Sequence, residues 1–280
     1  MLMLLVHVHG YYFLKSVRVQ FSIGSMGNSI VFEAAPAPEN GDETTASTDT
    51  STEKLKQASE NTGANSPIIS QSKAYSGLFT KMRDVNTSSA DFVKYSKRAM
   101  RLLAEDAIAE FPSRPVQIRT PCGPFAGTQM MNPRNICAVS IVRSGDALLE
   151  AVRDCIPECA VGKILIQRDE SNPDKPAKLF YSKMPPSLEG MYVLLCDPML
   201  ATGGSVLCAL DVLVVQYNIK PQNIVFANMI CAPEGLERVW KSYPKVKIVT
   251  VYVDKKLNEE KFITPGLGDY GDRYFNTVFE

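Results

Sequence analysis

Between residues 136 and 253 the chain repeats one pattern, a short apolar run followed by a segment with apolar residues at helical spacing. The runs at 136–142, 163–167, 192–196, 224–230 and 246–253 have strand length. The segments at 146–152, 205–217 and 234–243 read as helices between them. Runs such as ICAVSIV and IVFANMI are apolar on both faces rather than alternating, so they suit strands covered on both sides. Strand–helix alternation also requires crossover connections, which join parallel strands. The expected fold class is therefore α/β, with an open, mainly parallel twisted sheet and helices on both faces. Upstream, Phe92, Tyr95, Ala99, Leu102, Leu103 and Ala107 predict a helix over 92–110 with Asp91 as its N-cap, and 179–182 reads as half of a hairpin.

The region before this pattern is different. Residues 34–74 are mostly Ser, Thr, Glu, Asp, Asn and Ala, with no aromatic between Phe32 and Tyr75. Such a stretch buries too little apolar surface to offset its chain entropy and reads as a disordered linker. Residues 1–33 are apolar, but Lys15 and Arg18 follow the apolar start, the reverse of a secretory signal. The expected organisation is an N-terminal extension over 1–75, with Met26 as an alternative start, and one folded domain over 76–280.

Composition narrows the function. The 280 residues carry 30 basic and 30 acidic side chains, which argues against a general nucleic-acid or anionic-membrane binder. No apolar run reaches the roughly 18 residues of a membrane-spanning helix. The histidines are His7 and His9, so histidine general-base chemistry and a His-ligated zinc are not expected in the folded region. Seven cysteines without a CxxC read as reduced, mostly buried thiols of a cytoplasmic protein.

Three segments carry chemistry. In VLLCDPMLATGGS (residues 193–205) an apolar strand ends in Asp197, a short loop of small residues follows, and a helix begins. Thr202, Gly203, Gly204 and Ser205 can offer backbone N–H groups and hydroxyls to a phosphate at the helix N-terminus, while Asp197 can accept from vicinal ribose hydroxyls. Without Gly-Lys-Ser/Thr the loop is no Walker A site. In ITPGLGDYGDRYF (residues 263–275) a formal GxGxxG occurs, but too few residues follow for a dinucleotide-binding βαβ unit. Arg143 and Arg168 each end a strand and suit phosphate oxygens.

The 193–205 string resembles the PRPP-binding loop of type I phosphoribosyltransferases, in the Asp-Pro form of the uracil phosphoribosyltransferase family (PRPP is phosphoribosyl diphosphate). The 263–275 string is similar to that family's uracil-binding hood. The resemblance covers 76–280 and implies a type I phosphoribosyltransferase-like fold plus a C-terminal base-binding hood. It implies transfer of the phosphoribosyl group of PRPP to uracil N1, giving UMP and pyrophosphate with Mg2+. Arg143, Arg168, Asp197 and Asp269 are then the expected catalytic residues. PRPP would be bound by Arg143, Arg168, Asp197, Pro198, Met199, Leu200, Ala201, Thr202, Gly203, Gly204, Ser205 and Asp269. Uracil would meet backbone groups of Ile263, Gly268 and Tyr270 beside Asp269, and the metal, carried mainly by PRPP, would lie near Asp269. Asn276 stands where the resemblance leads one to expect glycine.

The resemblance also implies a homodimer or homotetramer. Some family members bind GTP as an activator through the N-terminal region. Arg98 matches one such basic position, while Ser89 stands in place of an expected lysine. Residues 169–178, rich in charge and proline, read as a lid or a solvated connector. Rival readings are a non-catalytic PRPP or UMP sensor, a purine phosphoribosyltransferase and an interaction module working through the N-terminal tail. The intact loop, the Asp-Pro pair and the lack of any binding motif in the tail argue against them in that order.

Overall fold

The computed structural model describes residues 2–8, 11–17, 65–168 and 176–277. Two compact units divide the chain, residues 1–46 and 47–280. In the first, strands β1 (Leu2–Val8) and β2 (Tyr11–Val17) pair antiparallel. Most of the 34–74 linker and residues 169–175 of the expected lid lie outside the described residues.

The second unit is built on one sheet. Its members are β3 (Ile68–Ile69), β6 (Ile136–Val142), β7 (Ala160–Arg168), β8 (Ala177–Lys183), β9 (Tyr192–Cys196), β11 (Ile224–Cys231) and β12 (Lys247–Val253), in the spatial order β3-β12-β11-β9-β6-β7-β8. The short β10 (Met199–Leu200) extends β11. All pairs are parallel except β7–β8, so 179–182 does lie in an antiparallel edge strand. Ile68 and Ile69 pair with Val249 and Thr250, so the sheet takes up residues that composition assigned to the linker.

The apolar runs become strands because both faces are covered. Ile224–Cys231 is buried throughout. Alternate side chains enter opposite layers, as the period of two requires. Leu194 and Ala227 pack in one layer with Phe79, Phe92, Leu103 and Leu148. Leu195 and Phe226 pack in the other with Leu210 and Val239. Helices α1 (Ala74–Arg83), α2 (Ser89–Ala109) and α3 (Gly145–Cys155) supply the first layer; α4 (Gly204–Asp211) and α5 (Pro233–Ser242) supply the second.

Two helix boundaries differ from the sequence reading. The cap of α2 is Ser88, whose Oγ accepts from the Asp91 N–H at 3.2 Å, and Asp91 sits in the first turn. The expected helix over 205–217 is α-helical only to Asp211 and continues as a π-helical turn over Val212–Gln216. A separate antiparallel ribbon, β4 (Arg114–Thr120) with β5 (Gly123–Gln129), was not legible from the pattern. Among the described residues no helix is long and apolar enough to cross a membrane.

Candidate active site

Strands β6, β7, β9, β11 and β12 run in one direction, so Arg143, Arg168 and Asp197, each at a strand's carboxyl end, reach the same edge of the sheet. Open α/β sheets bind ligands at that edge. The loop after β9 is held from below. The Pro198 carbonyl accepts from Met229 N at 2.9 Å and Ile230 N at 3.2 Å, and the Leu200 carbonyl from Ala232 N at 2.9 Å. Gly203 caps α4 with φ 79°, a left-handed conformation natural to glycine. Helix α5 presses against the loop at Gly235, where a Cβ would overlap the Ala201 carbonyl. Arg238 Nη1 donates to the Thr202 carbonyl at 3.2 Å. The turn after β6 is equally tight, since a Cβ on Gly145 would overlap the Cys196 carbonyl.

The hood is the short ribbon β13 (Lys256–Leu257) with β14 (Ile263–Thr264), followed by helix α6 (Tyr270–Phe275). It is clasped to the N-terminal helices. Arg83 forks onto the buried Asp254, with both Nη–Oδ contacts at 2.7 Å, and also donates to the Gly266 carbonyl at 2.7 Å. Asp254 Oδ2 accepts from Gly266 N at 2.7 Å. Arg273 donates to the Leu267 carbonyl at 2.8 Å and the Asp84 carbonyl at 2.7 Å, with its guanidinium 4.3 Å from the Phe92 ring centroid. Ser89 Oγ donates to the Arg273 carbonyl at 2.9 Å, so the position expected to carry lysine serves the clasp. Asn276 adopts φ 53°, ψ 50°, the left-handed turn glycine would supply and asparagine tolerates.

Loop and hood enclose one cavity of about 400 Å3. Asp197, Met199, Leu200, Ala201, Thr202, Gly203, Gly204 and Ser205 line it on one side, and Ile263, Gly268, Asp269 and Tyr270 on the other. Asp197 keeps partial access to this cavity but is otherwise enclosed by protein, and burial pushes its carboxyl up to about 7. The Met199 N–H opposes that rise and the Asp269 charge adds to it. Asp269 also caps α6, accepting from Asp272 N at 2.9 Å. The Tyr270 ring turns away into the core beside Phe92, with centroids 5.3 Å apart, and burial raises its hydroxyl well above the ordinary range.

Two expected ligands are placed differently, and the side chain of a third is not described. Pro198 does not line the cavity; its carbonyl supports β11. Arg143 is not a lining residue either, because its guanidinium is drawn aside to Asp272 and Thr277. The Arg168 side chain lies outside the described residues, although its backbone ends β7 at the right edge. Ser144, Val206, Glu260, Lys261, Phe262 and Gly271 line the cavity without having been singled out. Nearness was the available signal, since Val206, Glu260, Lys261 and Phe262 lie beside the two motifs, Gly271 lies within the second and Ser144 follows Arg143.

A family model described as "Uracil phosphoribosyltransferase" matches residues 69–277. The chain belongs to the uracil phosphoribosyltransferase family. The uracil phosphoribosyltransferase of Saccharomyces cerevisiae is 43% identical over 209 residues, 74% of this chain and 94% of the yeast protein. A chloroplastic uridine/cytidine kinase of Arabidopsis thaliana is 41% identical over 202 residues, 72% of this chain but 41% of that protein. Among solved structures, the AQ2163 protein of Aquifex aeolicus superposes with a TM-score of 0.64 at 30% identity, covering 76% of this chain and 100% of that one. The expected fold, a mainly parallel sheet between helices, agrees with this membership.

Proposed function

We propose that the cavity between the loop and the hood holds PRPP and uracil together and that the residues lining it, with Arg143 and Arg168 at the same sheet edge, carry the family's reaction. The chain is a phosphoribosyltransferase that makes UMP and pyrophosphate from uracil and PRPP. The reading of its site rests on one observation: Asp197 with residues 199–206, and residues 260–263 with 268–271, far apart in sequence, line a single cavity. Its volume of about 400 Å3 lies within the range of small-molecule sites.

In this reading the backbone N–H groups of Thr202 to Ser205 receive the 5′-phosphate at the start of α4. Asp197, when ionised, accepts from the ribose hydroxyls. Arg143 and Arg168 hold the departing pyrophosphate. Backbone groups of Ile263, Gly268 and Tyr270 pair with the uracil edges and reject cytosine, whose amino group would leave a buried donor facing a donor. The anomeric carbon gains oxocarbenium character as its bond to pyrophosphate breaks, and uracil N1 closes on the opposite face as its proton passes to the departing pyrophosphate. Orientation of the reactants can supply about 7–11 kcal/mol, and fixed charges and dipoles add to it.

Mg2+ fits as a companion of the diphosphate. Among the described residues no cluster of three or more His, Cys, Asp or Glu could cage a metal, but Asp197 and Asp269 both border the cavity. One or two carboxylates with substrate phosphates are the usual Mg2+ ligands, and Asp269 would be the nearer. When bound, Mg2+ supplies neutralisation of the diphosphate charge.

The reading extends to a reducing, cytoplasmic compartment, supported by seven unpaired thiols of which four are buried. It extends to a homodimer or homotetramer, supported by a two-stranded ribbon that exposes Ile118, Phe125 and the adjoining Met130. Mixed charge in the N-terminal groove disfavours a GTP effector there. The groove lined by Lys97, Arg98 and Arg101 also carries Glu150 and Asp154, and Lys97 is paired with Glu150 at 3.4 Å. The deciding assay supplies PRPP, Mg2+ and uracil, cytosine, xanthine or hypoxanthine in turn. UMP from uracil alone is expected; product from a purine alone would overturn the reading.

A further inference from the structure

Arg143 already has an anionic partner. Its Nη2 donates to Asp272 Oδ1 at 2.7 Å and its Nη1 to Thr277 Oγ1 at 3.0 Å. Thr277 Oγ1 donates to the same Asp272 oxygen at 2.6 Å, and the Arg143 guanidinium lies 5.6 Å from the Phe275 ring centroid. These partners belong to the last helix and the residues just after it. Asp269, which lines the cavity, caps that same helix through Asp272 N.

The guanidinium rests beside the cavity and not far from it. Gly271 lines the cavity, and a Cβ there would come within 3.0 Å of Arg143 Nη2 and 2.7 Å of Ser144 Oγ. The ion pair is also open to solvent, with side-chain exposures of 47% and 40%. An exposed pair favours its closed form by a factor of about five or less. A diphosphate offers more charge and a bidentate match to the guanidinium fork, so it can displace one carboxylate.

We propose that Asp272 is a positioning residue that stores Arg143 against the hood in the ligand-free protein and yields it to the diphosphate of the incoming substrate. Asp272 thus competes with the diphosphate for one guanidinium, and the last turn of the hood registers whether the donor site is filled. This rests on Arg143 being a diphosphate ligand.

The test uses the full-length protein and titrates inorganic pyrophosphate with Mg2+ by calorimetry. Asp272→Asn should bind about two- to fivefold more tightly than wild type, and Asp272→Glu should restore wild-type binding. Removing a negative charge could favour any anion, so the gain is also measured with Arg143→Ala as background, where it should vanish. Steady-state rates should show a lower KM for PRPP in Asp272→Asn. If Asp272→Asn does not fold, Thr277→Val removes the second tether and should shift affinity in the same direction by less. Unchanged or weaker binding in Asp272→Asn, or a gain that persists without Arg143, overturns the storage role while Arg143→Ala still weakens binding. Pyrophosphate affinity unaffected by Arg143→Ala would instead remove the ligand assignment beneath it.

Discussion

The loop after β9 and the hood face each other across one cavity, yet they are held by opposite means. The loop is fixed by its own strand, by the tip of β11 and by α5, all within a short stretch of chain. The hood is fixed by residues far away, with Arg83 and Asp254 separated by 171 positions and Arg273 and Asp84 by 189. A locally determined loop keeps its shape whenever its sheet forms. A hood held by distant side chains can be weakened without touching the loop. The two substrates should therefore respond to different substitutions.

The largest expected effect is at the clasp. Asp254 is 3% exposed, so Asp254→Ala leaves the Arg83 guanidinium without its carboxylate and should cost about 3 kcal/mol of unfolding free energy in urea. KM for uracil should rise more than KM for PRPP. Equal changes in both would erase the contrast between hood and loop.

Next is Asp197→Asn, which removes charge-assisted hydrogen bonds of about 1.5–3 kcal/mol and should lower kcat/KM for PRPP roughly 10- to 100-fold. Its pH signature has a definite sign. The carboxyl is pushed up to about 7, so it is neutral below that pH and charged above it. In wild type kcat/KM for PRPP should rise as pH climbs through about 7, and Asp197→Asn should lose that limb, while PRPP's own ionisation remains common to both. Stability has the opposite slope. The folded state holds this proton more tightly than the unfolded chain, so this group's contribution is lost as pH rises from about 4 to about 7.

A smaller effect separates folding from binding. The nearest atoms to a Cβ on Gly204 would be 3.8 Å away, so Gly204→Ala should leave thermal unfolding unchanged. A phosphate seated on that backbone would be obstructed, and PRPP affinity should fall about tenfold, roughly 1.4 kcal/mol. Unaltered PRPP binding would move the phosphate elsewhere. The smallest change is Ser89→Ala, which removes one hydrogen bond from the clasp and should reduce stability by about 1 kcal/mol with little effect on PRPP.

The same contrast decides what the sequence reveals. Strands Ile136–Val142 and Tyr192–Cys196 were legible residue by residue because double-sided burial writes an unbroken apolar run. The strand, turn and helix start around the loop were legible because they are written in one contiguous string. The ribbon Arg114–Gln129 was not, because its side chains are mostly exposed on both faces and carry no alternation. Ile68 and Ile69 are too few to form a pattern within a polar stretch. The Arg143–Asp272 pair was out of reach for another reason, since it forms only when segments 129 positions apart are folded together. Ser88 and Asp91 are both capping residue types three positions apart, and composition alone could not choose between them.

The central claim is that loop and hood grip opposite ends of one nucleotide. A crystal structure with UMP bound tests it most directly. The 5′-phosphate should lie about 2.7–3.2 Å from the backbone nitrogens of residues 202–205, and the pyrimidine edge at the same range from backbone atoms of Ile263 and Gly268. UMP lying outside this cavity, or with its base turned away from the hood, would contradict it.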